Sequence, residues 1–401
     1  MKKWMIAAAA SMLATSAHAQ ISDGVIKIGV LNDQSGTYAD LAGQGSVWAA
    51  RKAVEDYCKA NKCEKIEVVF ADHQNKPDIG SNVARQWLDV DKVDAIVDVP
   101  TSSVALAVNN IVKEKNKVFL NSGAASSDLT GKACSPNTVH WTYDTWSLAN
   151  GTGNAVVKTG GDTWFFLTAD YAFGHALERD TKALVEKSGG KVLGAVRHPF
   201  PGQDFSSFLL QAQASKAKVI GLANAGADTI NSVKQAAEFG IVEGGQNLAS
   251  LLMFITDVHA IGLKTAQGLV FTEAWYWDLN DENRKFADEF SPANKGNRPT
   301  MVQAGVYSAV THYLKAVHAL GSDAAGVKVV EKMKELPTED RLIGKGTNRA
   351  DGRKIHDMYL FEVKKPAESK GPWDYYKLRA TIPAAEAFRP LDQGGCPLVK
   401  S

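Results

Sequence analysis

The feature that most constrains the fold is the alternation of strand and helix patterns along the chain. Short apolar runs of strand length are separated by stretches with helical spacing, which is typical of parallel α/β sheets. One set of such units covers roughly residues 22–142, and a second set begins at Thr163. Two successive sets predict two doubly wound α/β lobes, with ligands bound beyond the carboxyl ends of the strands.

The predicted elements follow this alternation to within about 40 residues of the C-terminus, where a Pro- and Gly-rich tail begins. The predicted strands are Val25–Leu31, Ile66–Phe70, Asp94–Val99, Val118–Leu120, Thr163–Leu167, Lys191–Val196, Val219–Leu222, Leu248–Met253, Leu269–Phe271 and Met358–Val363. The predicted helices are Ala42–Lys59, Ile79–Leu88, Val104–Lys115, Tyr171–Lys187, Phe205–Ser215, Thr229–Phe239, Asn283–Phe290, Thr300–Leu320 and Val327–Leu336.

The first 19 residues have the pattern of a cleavable export signal. Met1–Lys3 are positively charged, Trp4–Ala14 are apolar, and Ala17–Ala19 form a small-x-small cleavage site. We therefore expect a mature chain that starts at Gln20 in the periplasm. No later run approaches the roughly 20 apolar residues that a membrane span needs, so we expect no membrane insertion. An exported chain has little access to ATP or nicotinamide cofactors, which favours binding, sensing or hydrolysis over metabolic catalysis.

Charge and cysteine content narrow the classes further. The 45 basic and 44 acidic residues leave a net charge of +1, which gives no support to a nucleic-acid partner. Four cysteines in an oxidising compartment indicate two disulfides, with three connectivities open. Cys58 and Cys63 flank a short polar turn and can close a local loop, which leaves Cys134 to pair with Cys396. We predict this pairing of the cysteines. We predict no metal site, because no CxxC or His pair is present.

Two loops at the ends of first-lobe strands are candidates for ligand binding. Pro100–Ser103 combines three hydroxyls with the start of a helix, where free N–H groups favour a small anion such as a carboxylate. Plain N-capping explains one hydroxyl well and three in a row less well. The small residues of Asn121–Asp128 allow close backbone approach, although this segment by itself is also an ordinary turn.

The candidates in the second half of the chain are aromatic or acidic. Phe173 lies on the strand-to-helix loop Thr168–Gly174, where lining a cleft and packing in the core are both open. Asp257 follows a predicted strand and faces a ligand or caps a helix. Trp277 lies where the chain crosses back to the first lobe, so it lines the cleft or packs around the hinge. The sequence has no GxSxG, HExxH or P-loop motif, and we predict neither an enzyme nor a bound cofactor.

At this point the chain resembles the periplasmic solute-binding proteins of branched-chain amino-acid ABC importers, the Leu/Ile/Val-binding type. The similarity covers nearly the whole mature chain. It rests on the order and spacing of five segments: IKIGVLNDQSGTYAD, PTSSVALA, NSGAASSDLT, ADYAFG and GLVFTEAWYWD.

The resemblance implies a type I periplasmic binding protein, with two Rossmann-like lobes joined by three hinge crossovers. We place the crossovers near Thr142–Trp146, Glu273–Trp277 and Arg353–Asp357. The first lobe then holds residues 22–143 and 276–354, and the second holds residues 144–275 and 355–401.

The resemblance also assigns ligand-binding positions. Ser102 matches the serine that holds the ligand carboxylate, with Ser103 as the next candidate, and Gly123 and Ala125 match the two following contacts. Phe173 matches the cleft aromatic, and Asp257 matches the acidic partner of the ligand ammonium group. The chain departs from the family in having Ala125 in place of threonine. It also has Asn224 and Ala225 in a loop where the family has a tyrosine.

We therefore predict the substrate-binding subunit of an ABC importer, which captures a small apolar organic acid such as a branched-chain amino acid by hinge closure. The closed form would dock on a permease with its ATPase subunits. Aromatic acids, amides or urea are the alternative ligands, because of the departures from the family. A sensory ligand-binding subunit on the same fold is the alternative function, and a hydrolase is a more distant one.

Overall fold

The computed structural model describes residues 21–400. The predicted leader, residues 1–19, and its cleavage site lie outside them. The strands are β1 Val25–Asn32, β2 Lys65–Asp72, β3 Ala95–Asp98, β4 Val118–Asn121, β5 Thr138–His140, β6 Thr163–Ala169, β7 Lys191–His198, β8 Val219–Ala223, β9 Asn247–Ser250, β10 Val270–Glu273, β11 Thr347–Asn348, β12 Lys354–Ile355, β13 Met358–Val363 and β14 Tyr376–Ile382.

Helices cover these strands on both sides. The α-helices are α1 Gly43–Ala60, α2 Pro77–Asp89, α3 Ser102–Glu114, α4 Thr145–Leu148, α5 Asn154–Lys158, α6 Ala172–Lys187, α7 Ser206–Ala214, α8 Ala227–Glu238, α9 Ile255–Ile261, α10 Leu263–Ala266, α11 Asp281–Phe290, α12 Met301–Leu320, α13 Gly326–Glu335 and α14 Ala384–Ala387. A π-helical turn, Ala149–Gly153, joins α4 to α5. Within residues 21–400, none of the helices combines the length and apolar character needed to span a bilayer.

The first lobe is built on a five-stranded parallel sheet in the order β2-β1-β3-β4-β5. The strand order reverses between β1 and β3, so the helices that follow these two strands leave on opposite faces of the sheet. This divergence opens a crevice at the carboxyl ends of β1 and β3. The sequence prediction of two doubly wound lobes is confirmed by this sheet and its counterpart in the second lobe.

The second lobe has a four-stranded parallel sheet in the order β7-β6-β8-β9 and a three-stranded antiparallel sheet in the order β10-β13-β14. The chain passes between the lobes after β5, after β10 and before β13. Strand β14 was not predicted from the sequence, since five of its seven residues are exposed. Its edge position explains this, because only one neighbouring strand hydrogen bonds to it.

The passages between the lobes are packed with large buried side chains. The indole of Trp141 is fully buried and donates from Nε1 to Ser308 Oγ at 2.7 Å. The guanidinium of Arg353, also fully buried, donates to the carbonyl oxygens of Trp141 at 2.8 Å and of Tyr143 at 3.0 Å. Trp141, at the first passage between the lobes, therefore packs in the hinge.

Two disulfides link the four cysteines. Cys58 and Cys63, with Cα atoms 5.4 Å apart, close the turn that follows α1. Cys134 and Cys396, with Cα atoms 5.6 Å apart, join the segment before β5 to the end of the chain. The second link spans 262 residues of sequence and ties the tail to the first lobe.

Candidate functional site

A narrow cavity of about 10 Å³ lies between the two lobes, at the carboxyl ends of their strands. Loops from both lobes contribute to it, and most of the side chains are apolar or aromatic. Its lining residues are Tyr38, Leu41, Pro100, Gly123, Ala125, Tyr143, Tyr171, Phe173, Ala225, Leu252 and Phe254. The cavity volume is about the space that one water molecule needs, so the surrounding rings must move apart to admit an organic ligand.

The start of helix α3 forms the polar end of the first-lobe wall. Ser102 is fully buried in the first turn, and its Oγ accepts the N–H of Ser126 at 3.2 Å. Its hydroxyl proton remains available to a second partner. The residue before it, Thr101, makes no side-chain cap, so the first N–H groups of α3 are not satisfied in that way. The plain N-capping considered for this run of hydroxyls is therefore not made by Thr101.

The backbone just before α3 is strained. Asp98 and Val99 have φ angles of 81° and 54°, in the left-handed region that a β-branched residue seldom adopts. Burial raises the pKa of Asp98 to about 6, and Asn32 Nδ2 donates to its Oδ2 at 2.9 Å. Strain of this kind costs of order 1–3 kcal/mol and is concentrated at functional sites.

The loop after β4 approaches the cavity through its backbone. A Cβ atom on Gly123 would lie 2.5 Å from Asp98 Oδ1 and 2.8 Å from the Cα of Pro100, so a side chain has no room here. Tyr143 donates its hydroxyl to the Gly123 carbonyl at 2.7 Å. Among residues 21–400, no hydrogen bond uses the backbone N–H of the buried Ala125. Within the described residues, this N–H and the Ser102 hydroxyl proton are therefore both available as donors.

The second lobe closes the cavity with aromatic rings. Phe200 stacks on Tyr171, with ring centroids 4.2 Å apart, and on Tyr38 of the first lobe at 5.4 Å. The hydroxyls of Tyr38 and Tyr171 are also hydrogen bonded. Burial is the main cause that raises the pKa of both phenols. These contacts cross the cleft, so the structure is a closed form.

A second contact between the lobes lies behind the loop after β4. We call it the Asp180 cluster: Ser127, Asp128, Thr145, Arg179 and Asp180. The hydroxyls of Ser127 and Thr145 each donate to Asp180 Oδ2 at 2.6 Å. Arg179 donates to Ser127 Oγ at 2.9 Å and pairs with Asp128 at 3.2 Å.

Three of the sequence-predicted residues, Gly123, Ala125 and Phe173, line the cavity. Ser102 lies directly behind them through its bond to Ser126. Ser103 follows in the first turn of α3 and is partly exposed. The aromatic residues Tyr38, Tyr143, Tyr171 and Phe254 line the cavity as well. The sequence left Tyr143 and Tyr171 open between cleft lining and packing, and it did not indicate Tyr38 or Phe254. The rule that selected Phe173, an aromatic on a loop at a strand's carboxyl end, also fits Tyr38.

Like Ser102 and Ser103, three other predicted residues are absent from the cavity lining within residues 21–400: Asn224, Trp277 and Asp257. Asn224 organises its own loop, donating to Ser232 Oγ at 3.0 Å and accepting from Thr229 Oγ1 at 2.8 Å. Trp277 donates from Nε1 to the Trp373 carbonyl at 3.0 Å. The guanidinium carbon of Arg298 lies over the Trp277 indole, 4.4 Å from the ring centroid.

Asp257, the third of these residues, caps helix α9. Its Oδ2 accepts the N–H of Phe254 at 3.0 Å, and burial raises its pKa to about 7. Phe254, three residues earlier, faces the cavity in its place. Of the two roles considered for this aspartate, the structure therefore has it capping.

The chemistry of the site follows from its lining. Tyrosine hydroxyls and the Ala125 N–H of the lining, with Ser102 at the start of α3 behind them, provide neutral donors at one end, and rings and aliphatic groups cover the rest. The lining described here has neither an acidic nor a basic side chain. Such a site binds a small molecule with one acceptor group and an apolar body, and a helix N-terminus favours a negatively charged acceptor.

Comparisons with known proteins agree with this architecture. The family model described as periplasmic binding protein matches residues 25–371. A solved periplasmic binding protein from Burkholderia mallei is 53% identical, with a TM-score of 0.91, and the match covers 94% of this chain and 100% of that one.

Two further solved structures extend the comparison. A branched chain amino acid ABC transporter periplasmic ligand-binding protein from Burkholderia xenovorans is 40% identical, with a TM-score of 0.82, over 93% of this chain and 99% of that one. An ABC transporter solute binding protein from R. palustris, in complex with benzoate, is 22% identical, with a TM-score of 0.81, over 93% of this chain and 100% of that one. At that identity the second likeness shows the fold alone. The chain thus belongs to the periplasmic binding proteins, as a type I substrate-binding protein of the branched-chain amino-acid ABC transporter family.

Proposed function

We propose that this protein captures a small aromatic carboxylate in the periplasm and delivers it to an ABC permease. The carboxylate would accept hydrogen bonds from the Ser102 hydroxyl, the Ala125 N–H and the first turn of α3. The ring would lie among Tyr38, Tyr171 and Phe254. Hinge closure would then exclude water and strengthen the polar contacts in a low-dielectric site.

The observation that carries this proposal is the absence of a counter-charge for an ammonium group among the described lining residues. An α-amino acid needs an acidic partner for its amino group, because a buried unpaired charge is strongly unfavourable. The predicted partner, Asp257, already accepts a backbone N–H and has a pKa raised to about 7. The site therefore suits an acid without an amino group better than leucine, isoleucine or valine.

A branched-chain amino acid remains the second candidate. It is supported by the name of the Burkholderia xenovorans relative, which is 40% identical. The proposed permease and ATPase partners rest on family membership, as does export to the periplasm. A sensory partner in place of a permease would change what the closed form docks on, without changing the ligand site.

Matched pairs of ligands test the proposal by calorimetry and thermal shift. L-Leucine and 4-methylpentanoate differ in the amino group, and benzoate and benzamide differ in the charge of the acceptor group. We expect 4-methylpentanoate to bind better than leucine, and benzoate to bind better than benzamide. A ligand at 100 times its Kd adds about 2.7 kcal/mol to the unfolding free energy, which a thermal shift detects. Preference for leucine would contradict the aromatic-acid proposal, and preference for benzamide would move the search to amides and urea.

A further inference from the structure

Residues 383–400, near the C-terminus, return from the second lobe to the first. We call this segment the C-terminal strap. It begins where β14 ends at Ile382, in the antiparallel sheet of the second lobe. It then reaches Cys396, which is bonded to Cys134 between β4 and β5 of the first lobe. The strap is therefore a connection between the lobes in addition to the three chain passages.

The strap packs against the hinge along its course. The N–H of Ala384 donates to Asp357 Oδ1 at 2.8 Å, and Asn150 Nδ2 donates to the Glu386 carbonyl at 2.9 Å. The ring of Phe388, which is 4% exposed, lies 4.4 Å from the guanidinium carbon of Arg353. Arg353 lies in the passage before β13 and also donates to carbonyl oxygens of the passage after β5. The strap and these two passages therefore meet at one buried side chain, that of Arg353.

Beyond the hinge, the strap reaches the loop that lines the ligand cavity. Arg389 Nη2 donates to the carbonyl of Ser127 at 3.0 Å, two residues after Ala125. The backbone of Arg389 is held in turn by Arg349 Nη1, which donates to its carbonyl at 2.8 Å. A Cβ atom on Gly131 would lie 2.7 Å from the carbonyl oxygen of Gly394, so the strap fits closely against this part of the first lobe.

The length of the strap decides how the disulfide acts. The 14 residues from Pro383 to Cys396 would span roughly 46–50 Å if fully extended, so the disulfide does not by itself fix the separation of the lobes. The covalent bond alone therefore leaves slack. Its effect is to keep the end of the strap at a high effective concentration beside the first lobe, so that its non-covalent contacts re-form whenever they break.

We propose that the C-terminal strap limits hinge opening and positions the ligand loop, residues 121–128, through Arg389, and that the Cys134–Cys396 disulfide maintains both effects. Arg389 is a positioning residue in this scheme, since it binds the carbonyl of Ser127 and is not among the cavity-lining residues described here. The ligand loop is named from the proposed function, but the strap is a property of the hinge, and its tests need no ligand. A failed ligand screen therefore leaves the result of these tests unaffected.

The chain provides a matched control, because its other disulfide lies within the first lobe. Small-angle scattering of the ligand-free protein compares C134S/C396S with C58S/C63S. We expect the radius of gyration and maximum dimension to rise in C134S/C396S and to match the wild type in C58S/C63S. Hydrogen exchange of residues 121–128 and 384–395 should become faster in the first variant only. Unchanged scattering and exchange in C134S/C396S would overturn the proposal.

A second design covers the case in which C134S/C396S does not fold. In C58S/C63S, the strap disulfide is the only one left, so a mild reductant opens it in the folded protein. Scattering and exchange before and after reduction give the same comparison without refolding. A third variant, Arg389→Gln, keeps both disulfides and should speed exchange in residues 121–128 while leaving the scattering profile unchanged. Exchange in residues 121–128 that is as slow as in the wild type would show that Arg389 does not position the ligand loop.

Discussion

Among single residues, Ser102 has the clearest proposed role in ligand binding. Its hydroxyl proton is free, and it stands in the first turn of a helix next to the cavity. Loss of a hydrogen bond to a charged group costs about 1.5–3 kcal/mol, or roughly ten- to a hundredfold in affinity. We expect Ser102→Ala to lower benzoate affinity by this amount in calorimetry. Ser103→Ala is the control, and a larger loss there would assign the anchor to Ser103.

Asp257 provides a prediction about pH. Because burial raises its pKa to about 7 from 3.8, the folded protein keeps a proton that the unfolded chain releases at lower pH. Stability is therefore lost as the pH rises from about 4 to about 7. Asp257→Asn keeps an acceptor for the Phe254 N–H and removes this loss, so we expect it to raise the unfolding free energy at pH 8 and not at pH 4.

Ligand binding by the same variant separates the two candidate ligands. Asp257 is not among the lining residues described, so we expect Asp257→Asn to bind benzoate as the wild type does. Denaturant titrations at pH 4 and pH 8 and calorimetry at pH 7 give both measurements. Strong leucine binding by the wild type that disappears in Asp257→Asn would identify this carboxyl as the ammonium partner and contradict our assignment.

At the scale of elements, the loop after β4 depends on one glycine. A Cβ on Gly123 would meet Asp98 Oδ1 and the backbone of Pro100, neither of which can move without disturbing the strained segment before α3. We expect Gly123→Ala to weaken benzoate binding and lower the melting temperature. Gly153→Ala is the control, because its Cβ would meet no atom closer than 3.6 Å. Equal effects of the two substitutions would show that close approach at Gly123 is unimportant.

Sequence patterns predicted the central parallel strands β1, β3, β4, β6 and β8 well, because these strands are largely buried and are therefore nearly continuous apolar runs. The short parallel strand β5 was not predicted. Strand β14 lacks that signal, since its residues are mostly exposed and its pairing with β13 is antiparallel. An edge strand of this kind is defined by its partner across the sheet. The lobe boundaries given by residue number remain a prediction.

Only part of the candidate site was predicted from the sequence, and the strand ends explain which part. Small residues and an aromatic at strand ends identified Gly123, Ala125 and Phe173, because parallel topology fixes where strand ends meet. The roles of Phe254 and Asp257 depend instead on where β9 ends. The predicted strand ran to Met253, whereas β9 ends at Ser250 and α9 starts at Ile255, which places the aspartate in the cap.

At the scale of the whole molecule, helix α6 links ligand binding to closure. Phe173 in its first turn lines the cavity, and Asp180, seven residues later, is bonded to Ser127 and Thr145. Seven residues are about two helical turns, so both side chains lie on one face of α6. We therefore expect closure over a ligand and formation of the Asp180 cluster to be one movement of this helix.

This coupling gives the last prediction. Saturating benzoate should reduce the radius of gyration of the wild type, since the structure is closed around the cavity. Asp180→Asn weakens the charge-assisted bonds from Ser127 and Thr145 without touching the ligand, so we expect weaker binding, mainly through faster dissociation. Stopped-flow kinetics measure both rate constants. Asp162→Asn, which removes an exposed pair with Lys218, is the control. A slower association rate with an unchanged dissociation rate would mean that the Asp180 cluster acts before closure and does not hold the closed form.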